Sequence, residues 1–309
     1  MKKNSKIYIA GHEGMVGSAL LNELTQLGYN KIIYSPLEEL DLRLQEQTFN
    51  FISLNKPEYI FLIAGKVGGI NANIQYPAEY LYDNIMIASN IIEAARKFMV
   101  KKVLFLGSSC IYPRECRQPM KEEYILDGKL EPTNEGYAIG KIAGIKLCEY
   151  YNKQYGCNFI SAIPPNLYGP KDNFSFNSSH VISAMIRKMH NAKISNQETI
   201  ELWGTGCAKR EFLYVEDLVR GLIFLMNYYN DITPINIGCN KDICIKKLAD
   251  IIKNVVKYSG DLYWNTSKPD GMPRKLMDST KINNLGWNAQ KDLEEGLIDT
   301  YKWYLEFIG

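Results

Sequence analysis

Apolar residues in the first half of the chain fall into two alternating arrangements, short unbroken runs and longer stretches at helical spacing. The run Ile7-Tyr8-Ile9-Ala10 predicts a buried strand, and residues 18–27, apolar at helical spacing, predict the helix that follows it. Further strands are predicted at 31–34, 59–64 and 102–106, with helices around 45–54 and 78–98 between them. Regular alternation of this kind implies an α/β fold, a doubly wound parallel sheet with helices on both faces. Past residue 165 it loosens: helical runs at 181–192 and 216–228, short strands near 200–203 and 235–237, and an amphipathic closing helix at 293–307 whose Trp303 and Phe307 are read as packing residues. We therefore expect residues 1–165 to form the cofactor-binding domain and 166–309 a smaller α/β substrate domain, with the chain interleaving near the boundary. No Gly/Ser/Pro-rich linker or internal repeat marks that boundary.

The turn after the first strand is Gly11-His12-Glu13-Gly14-Met15-Val16-Gly17. Glycines there permit a tight turn, close approach of backbone to a pyrophosphate and close helix–strand packing, while the helix N-terminus presents free N–H groups to phosphate. A flexible turn would also use glycines, but the strand before and the helix after favour a Rossmann-type dinucleotide site. Gly11, Gly14, Met15, Val16 and Gly17 are its candidate residues. Asp41 and Leu42 beyond the second strand, and Ala64, Gly65 and Lys66 at the end of the third, join them.

Composition narrows the class. The 309 residues are 46% hydrophobic and 23% charged, as in an ordinary globular enzyme. With 36 Lys+Arg against 34 Asp+Glu, no field extends over the whole surface to recruit nucleic acid or a membrane. No apolar stretch approaches the roughly 18 residues of a membrane span, and the first apolar run is too short for a signal peptide. Seven scattered cysteines without a C-x-x-C pair fit free thiols in a reducing cytoplasm. Three histidines, none in an H-E-x-x-H arrangement, give a catalytic metal little support.

Candidate chemistry follows the fourth strand, in Gly107-Ser108-Ser109-Cys110-Ile111-Tyr112-Pro113 and then Asn134-Glu135-Gly136-Tyr137-Ala138-Ile139-Gly140-Lys141. Tyr137 and Lys141 are four apart, which on a helix puts both on one face. The lysine's charge is expected to lower the tyrosine pKa toward that of a working general acid. Ser108, at the strand end, can hydrogen-bond a carbonyl oxygen that becomes an alkoxide. Together they imply ketone reduction, with Tyr137 giving the oxygen its proton. A solvated helix edge would show the same Tyr/Lys spacing; the glycine-rich start and the strand-end serine favour catalysis.

These residues resemble the extended short-chain dehydrogenase/reductase superfamily. Within it, residues 66–70, 106–113, 131–135, 166–170 and 267–271 are similar, in order, to segments of the GDP-L-fucose synthase family, epimerase/reductases of a GDP-linked 4-keto-6-deoxymannose. The resemblance implies NADP(H) as cofactor, with NAD(H) the alternative. It also implies that Cys110 and His180 exchange protons at the carbons flanking the ketone, although an inert thiol and a structural histidine are the plainer readings of the two residues alone. Ser109, Asn166, Arg187, Trp203, Arg210 and Lys268 are carried over as contacts to the GDP-sugar; Trp203 could instead be core and Arg210 a surface ion pair. A homodimer is implied through helices at 78–98 and 137–155, where Met86, Ile87, Ile91, Ile92, Ile142, Ile145 and Leu147 are read as surplus apolar surface.

Several positions depart from the family pattern. Glu13 stands where a basic residue is expected and Tyr34-Ser35-Pro36 where an arginine is expected, both at the place that would grip a 2′-phosphate. Pro165 replaces a threonine and Gly136 a proline. These changes raise an alternative: a C4-reductase without epimerase activity, acting on a related substrate such as a GDP-4-keto-heptose in surface-glycan biosynthesis. A non-catalytic dinucleotide sensor is a reading from another class, disfavoured by the complete Ser108, Tyr137, Lys141 set. A dehydratase would carry an acidic pair where Ser109-Cys110 stand.

Overall fold

The apolar runs become the strands of one parallel sheet in the computed structural model, which describes residues 1–176, 179–268 and 270–307. In chain order the first part comprises β1 (Ile7–Ala10), α1 (Met15–Gln26), β2 (Ile32–Ile33), α2 (Gln45–Asn55), β3 (Tyr59–Leu62), α3 (Ile70–Gln75), α4 (Pro77–Lys97), β4 (Lys102–Leu106), α5 (Glu135–Tyr155) and β5 (Phe159–Ile163). There follow β6 (Asn166–Tyr168), α6 (Val181–Ile194), β7 (Thr199–Trp203), β8 (Lys209–Tyr214), α7 (Val215–Tyr228), β9 (Ile235–Asn236), β10 (Asp242–Cys244), α8 (Ile245–Val256), β11 (Asp261–Asn265), β12 (Arg274–Lys275), α9 (Thr280–Asn284) and α10 (Leu293–Phe307).

The large sheet runs β2-β1-β3-β4-β5-β9. Every residue of β1, β4 and β5 is buried, as unbroken apolar runs require when helices cover both faces. One face packs on α1 and α7 through Leu20, Leu24, Leu218 and Leu222; the other packs on α2, α4 and α5 through Ile52, Ile91, Ile92 and Ile145. Strand order reverses between β1 and β3, so the crevice at their carboxyl ends is the switch point where ligands of such sheets bind. Strand β9 and helix α7 come from beyond residue 165 yet belong to this sheet and its cover. The remaining strands form a smaller layer in which β8 pairs with β10, β12 and β6, and a separate β11-β7 ribbon.

Two details correct the sequence reading. Ile91, Ile92 and Ile145 are fully buried and Ile142 nearly so, because α4 and α5 pack against each other and the sheet and use these residues within the chain. They are not surplus. The large apolar side chains that α4 and α5 leave exposed are Tyr82, Ile139, Tyr150 and Tyr155. Gly136 is also accounted for: a Cβ there would lie 2.7 Å from the Pro77 carbonyl oxygen at the start of α4, so the two helix starts meet over a bare backbone.

Candidate active site

The glycine-rich turn is shaped by contact. Gly11 has φ +93°, and a Cβ on it would sit 2.7 Å from the Ala64 nitrogen at the end of β3. A Cβ on Gly17 would lie 1.9 Å from the Gly11 carbonyl oxygen, whereas one on Gly14 would meet nothing within 4 Å. Gly14 is the N-cap of α1, extended, with no side chain bonded to the helix start and no acidic residue in the first turn. The turn is thus packed on its inner side and open outward over unpaired N–H groups, a fit for a dinucleotide pyrophosphate with Met15, Val16 and Gly17 leading the helix.

Other candidate cofactor residues are held in place by their neighbours. The Asp41 carboxylate is gripped by Arg43, which pulls it below the usual range. The Leu42 carbonyl accepts from Asn90 and Thr48. Lys66 is paired with Glu79 and lies 3.5 Å from Asp83. Ala64 donates its N–H to Ala10, and Gly65 faces Lys141 and Asn84, whose Oδ1 is buried without a hydrogen-bond partner.

Ser108 lies two residues past β4 in extended backbone, its Oγ accepting from the Cys110 N–H at 3.3 Å. Tyr137, in the first turn of α5, lies beside Ser108. Burial pushes the Tyr137 hydroxyl well up, with nearby Cys110 adding to the effect and the Ser108 hydroxyl opposing it. The lysine does not produce the lowering expected from the sequence. Lys141 is 3% exposed, and burial draws its ammonium down to about 8. Its Nζ donates to the Leu106 carbonyl at 3.1 Å and stands 5.9 Å from the Tyr137 ring centre. Burial acts on both groups, so Tyr137 keeps its proton.

Cys110 is surrounded by polar groups: the Asn134 amide donates to Sγ at 3.1 Å, and Lys275 Nζ lies 4.0 Å away. Neither neighbour was singled out from the sequence. Lys275 arrives through pairing of β12 with β8, opposite Arg210, a register that nothing in the local residue pattern signals. Arg210 faces Asp270, Cys110 and Glu131, and burial lowers its pKa. Ser109 is buried, its N–H bonded to Pro164. Asn166 donates to the Glu211 carbonyl. Trp203 is 53% exposed, with Lys268 Nζ 5.2 Å from its ring, so it is no core residue. Pro269, inside the similar segment 267–271, lies outside the described residues. Arg187 bonds the Phe174 carbonyl and lies over Phe176 at 3.8 Å, its Nε buried without a partner. His180 is exposed at the start of α6, its Nδ1 3.9 Å from Asp172. The structure therefore gathers Ser108, Cys110, Tyr137, Asn134 and Lys275, with Lys141 beneath Tyr137, while His180 pairs with Asp172. All seven cysteines are free, and among the described residues no group of His, Cys, Asp and Glu is placed to hold a metal. No helix among them is long and apolar enough to cross a membrane.

A family model described as NAD dependent epimerase/dehydratase matches residues 7–238. The chain belongs to this family. It is 48% identical to GDP-L-fucose synthase 1 of Arabidopsis thaliana over 99% of this chain and 95% of that protein. Among solved structures it is similar to a GDP-6-OMe-4-keto-L-xylo-heptose reductase from Campylobacter jejuni, at TM-score 0.94 and 38% identity over 99% of both chains. It is equally similar in extent, at TM-score 0.92 and 40% identity over 99% of both, to the GDP-mannoheptose C4 reductase MlghC of the same organism, with NADP bound. The glycine-rich turn and the end of β4 of this chain both lie within the matched residues 7–238.

Proposed function

We propose that this chain is a nicotinamide-dependent enzyme that reduces the 4-keto group of a GDP-linked 6-deoxy sugar after exchanging protons at the flanking carbons, giving GDP-L-fucose or a close relative. The observation that carries this reading is the meeting of Ser108, Tyr137 and Cys110 at the end of β4 with Lys141 buried behind them. NADP(H) or NAD(H), held by the Gly11–Gly17 turn and Lys141, supplies the hydride when bound. Tyr137, kept protonated by burial, gives its proton to the oxygen; the Lys141 charge then steadies the phenolate left behind. Ser108 donates a hydrogen bond to the same oxygen as charge develops on it. Cys110, with the Asn134 and Lys275 donors directed at its sulfur, is the base for the acidified C–H positions, and His180 is its partner acid. Arg187, Arg210, Trp203, Lys268, Asn166 and Ser109 are the proposed contacts to the GDP-sugar.

The same proposal assigns the dinucleotide to residues 1–165 and the sugar nucleotide to 166–309, with β9 and α7 threaded back. It also places the enzyme in the cytoplasm, where free thiols persist, as a homodimer joined through α4 and α5 at Tyr82, Ile139 and Tyr150.

One observation favours a second reading. His180 faces Asp172 rather than Cys110, an arrangement compatible with C4 reduction alone on a GDP-4-keto-heptose, the activity class of the two Campylobacter jejuni reductases. Oxidation of NADPH and NADH with GDP-4-keto-6-deoxymannose in deuterated water, followed by NMR of the product, separates the two. Deuterium at C3 and C5 supports the epimerase/reductase; turnover without it, or turnover only of the heptose, supports the reductase alone.

A further inference from the structure

The adenosine end of the crevice lies at the tips of β1 and β2, which pair in parallel through Ile7 with Ile32 and Tyr8 with Ile33. Their continuations, Gly11-His12-Glu13 and Tyr34-Ser35, are brought together by the His12 and Tyr34 rings, stacked with centroids 4.4 Å apart. In folds of this kind the residue at the end of the second strand decides which ribose is accepted. A carboxylate bonds a free 2′-hydroxyl, whereas a 2′-phosphate needs an arginine close by.

Cations are missing from this end. No lysine or arginine occurs in residues 7–30 or 32–42, while four acidic residues follow the two strand ends, Glu13 after β1 and Glu38, Glu39 and Asp41 after β2. Lys31 precedes β2 and so stands at the opposite end of the strand, its carbonyl bonded to the Ile7 N–H. The next cations along the chain at this edge of the sheet are committed elsewhere. Arg43 forks onto Asp41 and reaches Asp83, and Lys66 pairs with Glu79 and Asp83. The groups left beside the ribose position are acidic or neutral: Glu13, exposed in the turn, and Ser35, whose hydroxyl donates to Glu39 at 3.1 Å. Ser35 and Glu39 suit a ribose hydroxyl. A phosphate dianion about 7 Å from a single carboxylate in a water-like dielectric would lose roughly sevenfold in affinity, with no cation to offset it.

We propose that this site does not select for the 2′-phosphate, so that the enzyme takes NADH about as well as NADPH. The inference rests on the proposed function only in requiring that a nicotinamide dinucleotide binds. It is tested on the purified full-length protein without any sugar, by calorimetric titration with NADH and NADPH of wild type, Glu13→Arg and Ser35→Arg. The expected result is an NADH Kd no more than threefold above the NADPH Kd in wild type, and a swing of the ratio toward NADPH of at least about sevenfold in Glu13→Arg, the loss of the repulsion alone, with Ser35→Arg as the independent variant should the first fail to fold. NADPH binding more than threefold tighter in wild type overturns the proposal, as does a ratio that neither variant moves. Tight binding of both dinucleotides with no keto-sugar reduced would overturn the proposed function and leave this inference standing.

Discussion

Replacing Lys141 by methionine tests what the site costs the fold. Its ammonium is buried against the Phe105 and Tyr137 rings with the Leu106 carbonyl as acceptor, and burial lowers its pKa from 10.5 to about 8. Because the folded-state pKa lies below the unfolded one, the unfolded chain holds more protons between about pH 8 and pH 10.5, and stability rises with pH across that window. Below it the penalty is fully present. A gap of about 2.5 pH units corresponds to on the order of 3 kcal/mol. Methionine keeps most of the stem and removes the charge, but deprives the Leu106 carbonyl of a donor, a loss of about 1–2 kcal/mol. Lys141→Met should therefore be more stable than wild type at pH 7 by about 1–2 kcal/mol, or about 2–5 °C in Tm, while losing ketone reduction. Near pH 10, where the wild-type lysine is neutral when folded, the advantage should vanish or reverse. Thermal unfolding followed by circular dichroism at the two pH values measures this. A variant less stable at pH 7, or a difference that is the same at pH 7 and pH 10, would refute the reasoning.

Tyr137→Phe should lower kcat by about 10²–10⁴ and leave dinucleotide Kd unchanged within threefold, as read by single-turnover kinetics and titration. Cys110→Ser should abolish solvent deuterium at C3 and C5 without unfolding the protein, checked by NMR of the products; undiminished exchange would remove Cys110 from the mechanism. Lys102 makes an instructive contrast with Lys141, since it is also pulled down to about 8 by burial but bonds the carbonyls of Leu225, Met226 and Tyr229 at the end of α7 and the Asn230 side chain. Lys102→Met should destabilise by about 2–4 kcal/mol because those carbonyls lose their donor, a sign opposite to that of Lys141→Met in the same unfolding assay.

The N-terminal sheet was legible because strands covered on both faces must be apolar throughout, which leaves unbroken runs such as Val103-Leu104-Phe105-Leu106. Strand β2, half-buried at the sheet edge, is shorter than its apolar run predicted. The smaller layer was largely illegible for the opposite reason: β10 and β12 are two or three residues long and mostly exposed or half-buried, whereas β7, whose buried and exposed residues alternate, was expected near 200–203. Helix α8 could have been found, since Leu248, Ala249, Ile252 and Val256 bury one face at helical spacing. Within the site, spacing located Tyr137 and Lys141 but misjudged their electrostatics, because a sequence does not display how much water the fold removes. Asn134, though inside the segment 131–135, was not singled out, and Lys275 was out of reach, since only strand pairing brings it to Cys110.

Glu211 shows how the less legible half is held together. It is fully buried in β8 beside Arg210, and its carboxylate accepts backbone N–H groups from Cys239 at 2.6 Å and Asn240 at 2.9 Å on one oxygen and from Met277 at 2.7 Å on the other. Burial pushes the carboxyl up while these donors pull it down. One side chain thereby ties β8 to the turn after β9 and to the residues after β12, and so keeps Arg210 opposite Lys275. Glutamine would retain one acceptor oxygen and turn an NH2 group toward the donors of the other, leaving at least one buried N–H unpaired at a cost of about 1–3 kcal/mol. Glu211→Gln should therefore lower stability by that amount, raise KM for the GDP-sugar as Arg210 loses its alignment, and slow solvent-deuterium exchange as Lys275 leaves Cys110, while Ser108, Tyr137 and Lys141, carried by the end of β4 and by α5, do not move. A stable variant with unchanged KM would show that the register of β8 and β12 is fixed by the strands alone and that Glu211 has no part in positioning the site.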